Sequence, residues 1–259
     1  MKILKMKDCG EKHYTQKPLL FDLPFKLIVV GRSQLSGKTN LLGNLLLRKE
    51  YYRSDFKGEN MYLISSSTSV DKKLQTIIEQ KEIPASNVFP AYDEAMLETL
   101  YELLESDYVE SVNNKQRPPN VLLIFDDISF GGQLASKKHG IMSKLFCNAR
   151  HINVSTILTS QKYGGDILTT CRENTTGLIA FASTEKQLEL ITEDHNYMES
   201  KKQFKKMFRK ATDEKHSFLV VNYSNSPKQR YLDSEFHPIC TCADGSNKCG
   251  GKTYHGTTE

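Results

Sequence analysis

A chain of 259 residues, 38% of them hydrophobic and carrying a net charge of +4, is long enough to bury one large α/β core. Its mild positive charge permits a nucleic-acid partner without requiring one. No apolar run reaches the ~18 residues that would cross a bilayer, and the opening Met1-Lys-Ile-Leu-Lys-Met-Lys-Asp8 lacks the apolar stretch of a secretion signal.

Leu27-Ile-Val-Val30 reads as a buried strand that runs into Gly31-Arg-Ser-Gln-Leu-Ser-Gly-Lys-Thr39 and then into a helix from Lys38 to Leu47. Strand, tight turn and helix in that order are the layout of a phosphate-binding P-loop. Backbone N–H groups of such a turn, with the positive end of the helix, suit the β-phosphate of a nucleotide. On this reading Gly31, Arg32, Ser33, Gln34, Leu35, Ser36, Gly37, Lys38, Thr39 and Asn40 line ATP. Lys38 adds charge at the β- and γ-phosphates, and the Thr39 hydroxyl holds Mg²⁺. There is one departure. The pattern G-x-x-x-x-G-K-[ST] needs Gly at position 32, where this chain has Arg32, with Gly31 one place early. A guanidinium there would sit beside the triphosphate and could help neutralise transition-state charge. A chance Gly-Lys-Thr at a strand–helix junction is the plainer alternative, but the flanking strand and apolar helix supply the context the motif requires.

Next come a strand over Asn60–Ser65, a helix over Asp71–Glu79 and a longer helix from Tyr92 to about Val112. The longer one carries Met96, Leu97, Leu100, Leu103 and Leu104 at the spacing of one helical face. Asn120-Val-Leu-Leu-Ile-Phe-Asp-Asp-Ile128 follows Arg117-Pro-Pro119 as an uninterrupted apolar strand ending in two carboxylates. Such a strand is covered on both faces of a parallel sheet. As a Walker B element, Asp126 would hold Mg²⁺ through water, and Asp127 would act as general base on the attacking water. Alternation along a strand points the two acids to opposite faces, so they are expected to divide the work.

Gly131-Gly132 opens a loop before a helix at Ile141–Cys147. A strand over Val154–Gln161, a helix over Asp166–Cys171 and a strand over Gly177–Ala182 follow. This alternation means a mostly parallel sheet flanked by helices, with ligands at the strand carboxyl ends. The expected organisation is a P-loop ATPase domain over 23–235, an N-terminal extension over 1–22 and a Cys/Gly-rich tail over 236–259. In the additional-strand ATPases, one more strand lies between the P-loop strand and the acidic strand. Its polar tip residue senses the γ-phosphate. Gln161 takes that place, because an amide can donate to the phosphate and accept from the attacking water.

Toward the end, Glu199–Lys210 sets Phe204, Met207 and Phe208 on one helical face and six cations around the rest. It is either a basic helix against DNA phosphates or a solvated helix docked by its Phe residues. Ser217–Tyr223 and Gln229–Leu232 read as a β-hairpin that extends the sheet. His237, Cys240, Cys242 and Cys249 could form a Cys₃His zinc knot. Against that, Cys240-x-Cys242 is tighter than the usual spacing, and incidental cysteines in a disordered tail are the alternative. Cys9, Cys147 and Cys171 read as ordinary interior cysteines.

Ala149-Arg-His-Ile-Asn-Val-Ser-Thr-Ile-Leu-Thr-Ser-Gln161, then Lys162-Tyr163 and Cys171-Arg-Glu-Asn174, on top of the two nucleotide motifs, resemble the genome-packaging ATPases of nucleocytoplasmic large DNA viruses and virophages. These are poxvirus-type packaging ATPases of the HerA–FtsK superfamily. The resemblance covers roughly residues 23 to 183. It implies a RecA/HerA–FtsK-like fold and a homo-oligomeric ring, pentamer or hexamer, that threads double-stranded DNA into a preformed capsid. Implied with it are a capsid vertex or portal-type partner and a place in the virion or at the viral assembly site in the host cytoplasm. It also implies catalytic roles for Lys38, Asp127 and Gln161, Mg²⁺ at Thr39 and Asp126, and an arginine reaching a neighbouring subunit's ATP. Arg172 is the candidate for that arginine, with Arg150 and Arg32 in competition. The P-loop with Arg32 is also similar to that of terminase large subunits, but no obvious carboxylate cluster for a nuclease follows the last core strand. An ATP-binding assembly scaffold and a P-loop kinase are the remaining alternatives.

Overall fold

The computed structural model describes residues 17–32, 36–127 and 140–240. The elements in chain order begin with β1 (Lys26–Val30), α1 (Lys38–Leu47), β2 (Met61–Ile64), α2 (Lys72–Lys81) and β3 (Val88–Phe89). Then come α3 (Glu94–Asn113), β4 (Val121–Phe125), α4 (Ile141–Asn148), β5 (Val154–Ser160) and α5 (Thr169–Glu173). The chain continues through β6 (Gly177–Phe181), α6 (Glu185–His195), α7 (Lys201–Ala211), β7 (Phe218–Asn222) and β8 (Tyr231–Leu232).

The strands form one sheet in the order β3-β2-β4-β5-β1-β6-β7-β8. Strand β5 pairs in parallel with β4 on one side and β1 on the other. The additional strand expected between the P-loop strand and the acidic strand is therefore present. The hairpin is present too, with β7 antiparallel to both β6 and β8.

Strands β1, β4, β5, β6 and β7 are buried along their whole length, as uninterrupted apolar runs require when helices cover both faces. Leu27 and Val29 face a core closed by Leu42, Leu45, Leu46, Leu74 and Ile77 of α1 and α2. Ile28 and Val30 face the other core, closed by α3 through α7. Leu20, Phe21 and Phe236 also bury in the first core, and the Phe21 and Phe236 rings meet edge to face at 6.3 Å. The packed domain thus takes in residues on either side of the 23–235 span.

Local capping explains where helices begin. The Asp71 carboxylate accepts from the Lys73 and Leu74 backbone at the start of α2, and Asp93 does the same for Met96 at α3. Ser200 and Gln203 form a capping box on α7. That helix buries Phe204, Met207 and Phe208, while Lys201, Lys205 and Arg209 pair with Glu185, Glu189 and Glu193 of α6. Half of the basic face is thereby neutralised within the fold. Lys202, Lys206 and Lys210, spaced i, i+4, i+8, are left as an exposed row.

Candidate active site

Beyond Val30, Gly31 turns over the carboxyl edge of the sheet, its N–H donating to the Ser160 carbonyl at 3.1 Å. A Cβ on Gly31 would stand 2.4 Å from Ser36 Cβ and 2.9 Å from the Phe181 ring, so the glycine one place early has its own packing reason. Gly37 caps α1 at φ 90°, in the left-handed region that favours glycine. Ser33, Gln34 and Leu35 lie outside the described residues. Lys38, in the first turn of α1, is 8% exposed, and its Nζ donates to the Gly31 carbonyl at 2.6 Å. Burial holds its pKa below the ordinary lysine value, while Asp127 and Asp126 push it back up. The ammonium thus rests on a carbonyl that phosphate oxygens can replace.

The acidic pair departs from the expectation of opposite faces. Strand β4 stops at Phe125, so strand alternation does not extend to Asp126 and Asp127. Asp127 adopts a left-handed φ of 48°. Both acids consequently line one cavity of about 320 Å³ together with Ser36, Gly37, Lys38, Thr39, Ser67, Asp71 and Lys73. Asp126 is 4% exposed and accepts from Thr159 Oγ1 at 2.8 Å. The same Thr159 oxygen accepts from the Asp127 N–H at 2.9 Å. Burial raises the Asp126 pKa; Thr159 and Lys38 oppose that shift, and Asp127 and Asp71 add to it. Gln161, at the tip of β5, donates from Nε2 to Asp127 Oδ2 at 2.7 Å. Strands β1, β4 and β5 therefore bring Lys38, Thr39, Asp126, Asp127 and Gln161 to one place, as the sequence leads one to expect.

A buried lysine and a helix start suit the anionic phosphates of a nucleotide. Mg²⁺ usually takes only one or two carboxylates from a protein while substrate phosphates and water complete its shell. The Thr39 hydroxyl and Asp126 carboxylate meet that need. Among the described residues no cluster of three or more His, Cys, Asp or Glu side chains could hold a metal by itself. Of the candidate zinc ligands, His237 Nδ1 lies 3.5 Å from Glu235 and 3.7 Å from Asp233 and Cys240 is exposed. Cys242 and Cys249 lie outside the described residues, as do Gly131, Gly132 and Cys9.

Four residues at or against this cavity escape sequence reasoning, among them Lys73, which sits in the first turn of α2. Thr159 orients both acids, and a small β-branched hydroxyl two places before the strand's polar tip is the available signal. Ser67 and Asp71 arrive on the β2–α2 connection, where Asp71 is legible only as a helix cap.

The candidate arginines sit elsewhere. Arg172 donates to Asp194 Oδ2 at 2.7 Å and to Thr169 Oγ1 at 3.2 Å, with its guanidinium 5.2 Å from the Tyr163 ring centroid. Arg150 is exposed in the turn before β5, at the strand's amino end and so on the opposite edge of the sheet from the cavity. Arg32 is exposed and lines a separate cavity beside β6.

Behind Arg172 lies a buried polar chain. Tyr163 donates its hydroxyl to Asp194 at 2.7 Å and therefore accepts from His195 Nε2, also at 2.7 Å. His195 Nδ1 then accepts from the Tyr223 hydroxyl at 2.6 Å. This is the neutral imidazole with its proton on Nε2, and burial lowers its pKa to about 4. Between the unfolded value near 6.5 and about 4, the unfolded chain binds a proton that the native chain refuses. Acidification through that window should cost about 3 kcal/mol of stability. Chemical denaturation at successive pH values checks it: the wild type should show this slope and His195→Gln should lack it.

A family model described as the poxvirus A32 protein matches residues 11–236. The chain belongs to that family. The resemblance to poxvirus-type packaging ATPases read from the sequence is thus borne out. No curated protein sequence matches this A32-family chain. Among solved structures, it is similar to the genome packaging NTPase B204 from Sulfolobus turreted icosahedral virus 2 in complex with AMPPCP. That likeness has 18% identity, a TM-score of 0.52, and covers 83% of this chain and 97% of that one. The complex of the same NTPase with AMP matches at 16% identity and a TM-score of 0.55, covering 83% of this chain and 98% of the other. B204 described as the DNA-packaging ATPase from Sulfolobus turreted icosahedral virus matches at 15% identity and TM-score 0.55, covering 84% and 98%. These likenesses show the fold alone, and the additional strand is this chain's own β5 between β1 and β4. No helix of the described residues is long and apolar enough to cross a membrane.

Proposed function

We propose that this A32-family chain is a Mg²⁺-dependent ATPase that drives viral double-stranded DNA into a preformed capsid. The observation that carries the proposal is the meeting of Lys38, Thr39, Asp126 and Asp127 around one cavity, with Gln161 bonded to Asp127 from the tip of the sheet's additional strand. Membership of the poxvirus A32 family supports it, and so does the likeness to proteins described as genome packaging NTPases.

In this mechanism Lys38 leaves the Gly31 carbonyl for the β- and γ-phosphates. Thr39 and Asp126 hold Mg²⁺, which supplies charge neutralisation at the phosphates when bound. Asp127, fixed by Thr159 and Gln161, accepts the proton of the attacking water. Gln161 can exchange its bond to Asp127 for one to the γ-phosphate, and so reports whether that phosphate is present. Several copies form a ring, pentameric or hexameric, around the DNA and dock on a capsid vertex at the viral assembly site. The exposed Lys202–Lys206–Lys210 row offers sequence-independent phosphate contacts. Arg172 remains the candidate for the arginine that completes a neighbour's site. To serve, it must exchange its Asp194 ion pair for the neighbour's nucleotide, an exchange that Arg150, already exposed, does not need.

Steady-state ATP hydrolysis with and without long double-stranded DNA tests the proposal. The expected result is Mg²⁺-dependent turnover that DNA accelerates severalfold. Turnover indifferent to DNA would favour an assembly scaffold over a motor.

A further inference from the structure

Strand order decides which way a nucleotide on this loop must run. The acids and Gln161 stand at the ends of β4 and β5, on one side of β1, while β6 and β7 lie on the other. With its γ-phosphate toward Asp126 and Asp127, a triphosphate leaves the loop past Ser36 toward β6 and β7. On that side two cavities, of about 440 and about 570 Å³, both open at Ser36 and share Phe181 and His216. Arg32 lines the smaller one and is not among the residues around Asp126 and Asp127.

We propose that Arg32 and His216 form the nucleoside-binding end of the site, taking the sugar and base of a nucleoside triphosphate in the cavities beside β6 and β7. This deepens, and rests on, the reading of the loop as a nucleotide site. His216 is exposed, yet its position is closely determined. Its backbone sits at φ 68°, a conformation uncommon for a residue other than glycine and one that concentrates at functional sites. Its Nδ1 lies 3.3 Å from the Ser36 carbonyl, which can only accept, so that nitrogen carries the proton. A Cβ on Gly37 would stand 3.5 Å from the same nitrogen, so the imidazole is held against the loop where the phosphates leave it. Nε2 is then an acceptor for a sugar hydroxyl or an exocyclic amine, and the ring face is a stacking surface. The Arg32 guanidinium provides a second planar surface, this one cationic, for a base to lie on. This gives the departure from the P-loop pattern a use at the nucleoside end instead of the γ-phosphate.

The test compares a non-hydrolysable ATP analogue with inorganic tripolyphosphate, both with Mg²⁺, by titration calorimetry on wild type, His216→Gly and Arg32→Ala. Glycine suits the backbone at 216, and tripolyphosphate affinity reports whether each variant keeps a folded loop. The wild type should prefer the nucleotide by about a hundredfold, and each variant should lose about tenfold of that preference, where tenfold corresponds to about 1.4 kcal/mol. Tripolyphosphate affinity should stay unchanged. Variants that keep the full preference would overturn the inference, as would a wild type that binds the two ligands equally. Arg32→Ala weakening both ligands alike would assign Arg32 to the phosphates and overturn its part. A wild type that binds neither ligand would sink the nucleotide reading itself, and the inference with it.

Discussion

Lys38→Ala is expected to lower ATP turnover by on the order of 10²–10³-fold, the usual loss on removing one preorganised charge-stabilising donor. The reason is local. Lys38 is the cation among the residues lining the Asp126–Asp127 cavity that is also buried, and its Nζ already points along the loop at the Gly31 carbonyl. Without it, two carboxylates face an incoming triphosphate with one less compensating charge, so nucleotide affinity should fall together with turnover. Initial rates and calorimetric binding on the same preparation check both halves. Near wild-type turnover would contradict the assignment.

Asp127→Asn should separate binding from chemistry. The Asn carbonyl can still accept the Gln161 amide hydrogen that Asp127 Oδ2 now takes, and the backbone bond to Thr159 is untouched. Folding and nucleotide affinity should therefore persist. An amide cannot take a proton from water, so turnover should drop by about 10²–10⁴-fold, the usual share of general-base catalysis. Single-turnover hydrolysis, with binding measured in parallel, distinguishes this from a simple loss of affinity. If Asp126→Asn rather than Asp127→Asn spared affinity while stopping hydrolysis, the two roles would have to be exchanged.

Much of this architecture is legible in the sequence because its strands are long, apolar and punctuated. Leu27–Val30, Val121–Phe125 and Val154–Ser160 read as buried parallel strands, and they lie side by side. Gln161 at the tip of β5 is readable as a neighbour of the acidic pair for the same reason. The features that resist reading are short or tertiary. Strand β3 has two residues, too few for any period. Helix α6 escapes notice although Leu188, Ile191, Thr192 and His195 follow helical spacing, because charged residues dominate its window. The shared orientation of Asp126 and Asp127 depends on a left-handed turn that strand alternation cannot foresee. Thr159, Asp71 and His216 reach the site through packing between elements distant in the chain. The intramolecular hold on Arg172 depends on Asp194 and Tyr163, and no local motif announces it.

The central claim, a motor that moves along duplex DNA, is tested most directly by triplex displacement. A third strand is annealed to one end of a long duplex, and its release is followed after ATP is added. A translocating motor should release it only with ATP and Mg²⁺, after a delay proportional to the distance from the loading end, and Lys38→Ala should not release it at all. ATP hydrolysed on bound DNA with the third strand left in place would contradict the motor, and would make this chain a nucleotide-driven assembly factor instead.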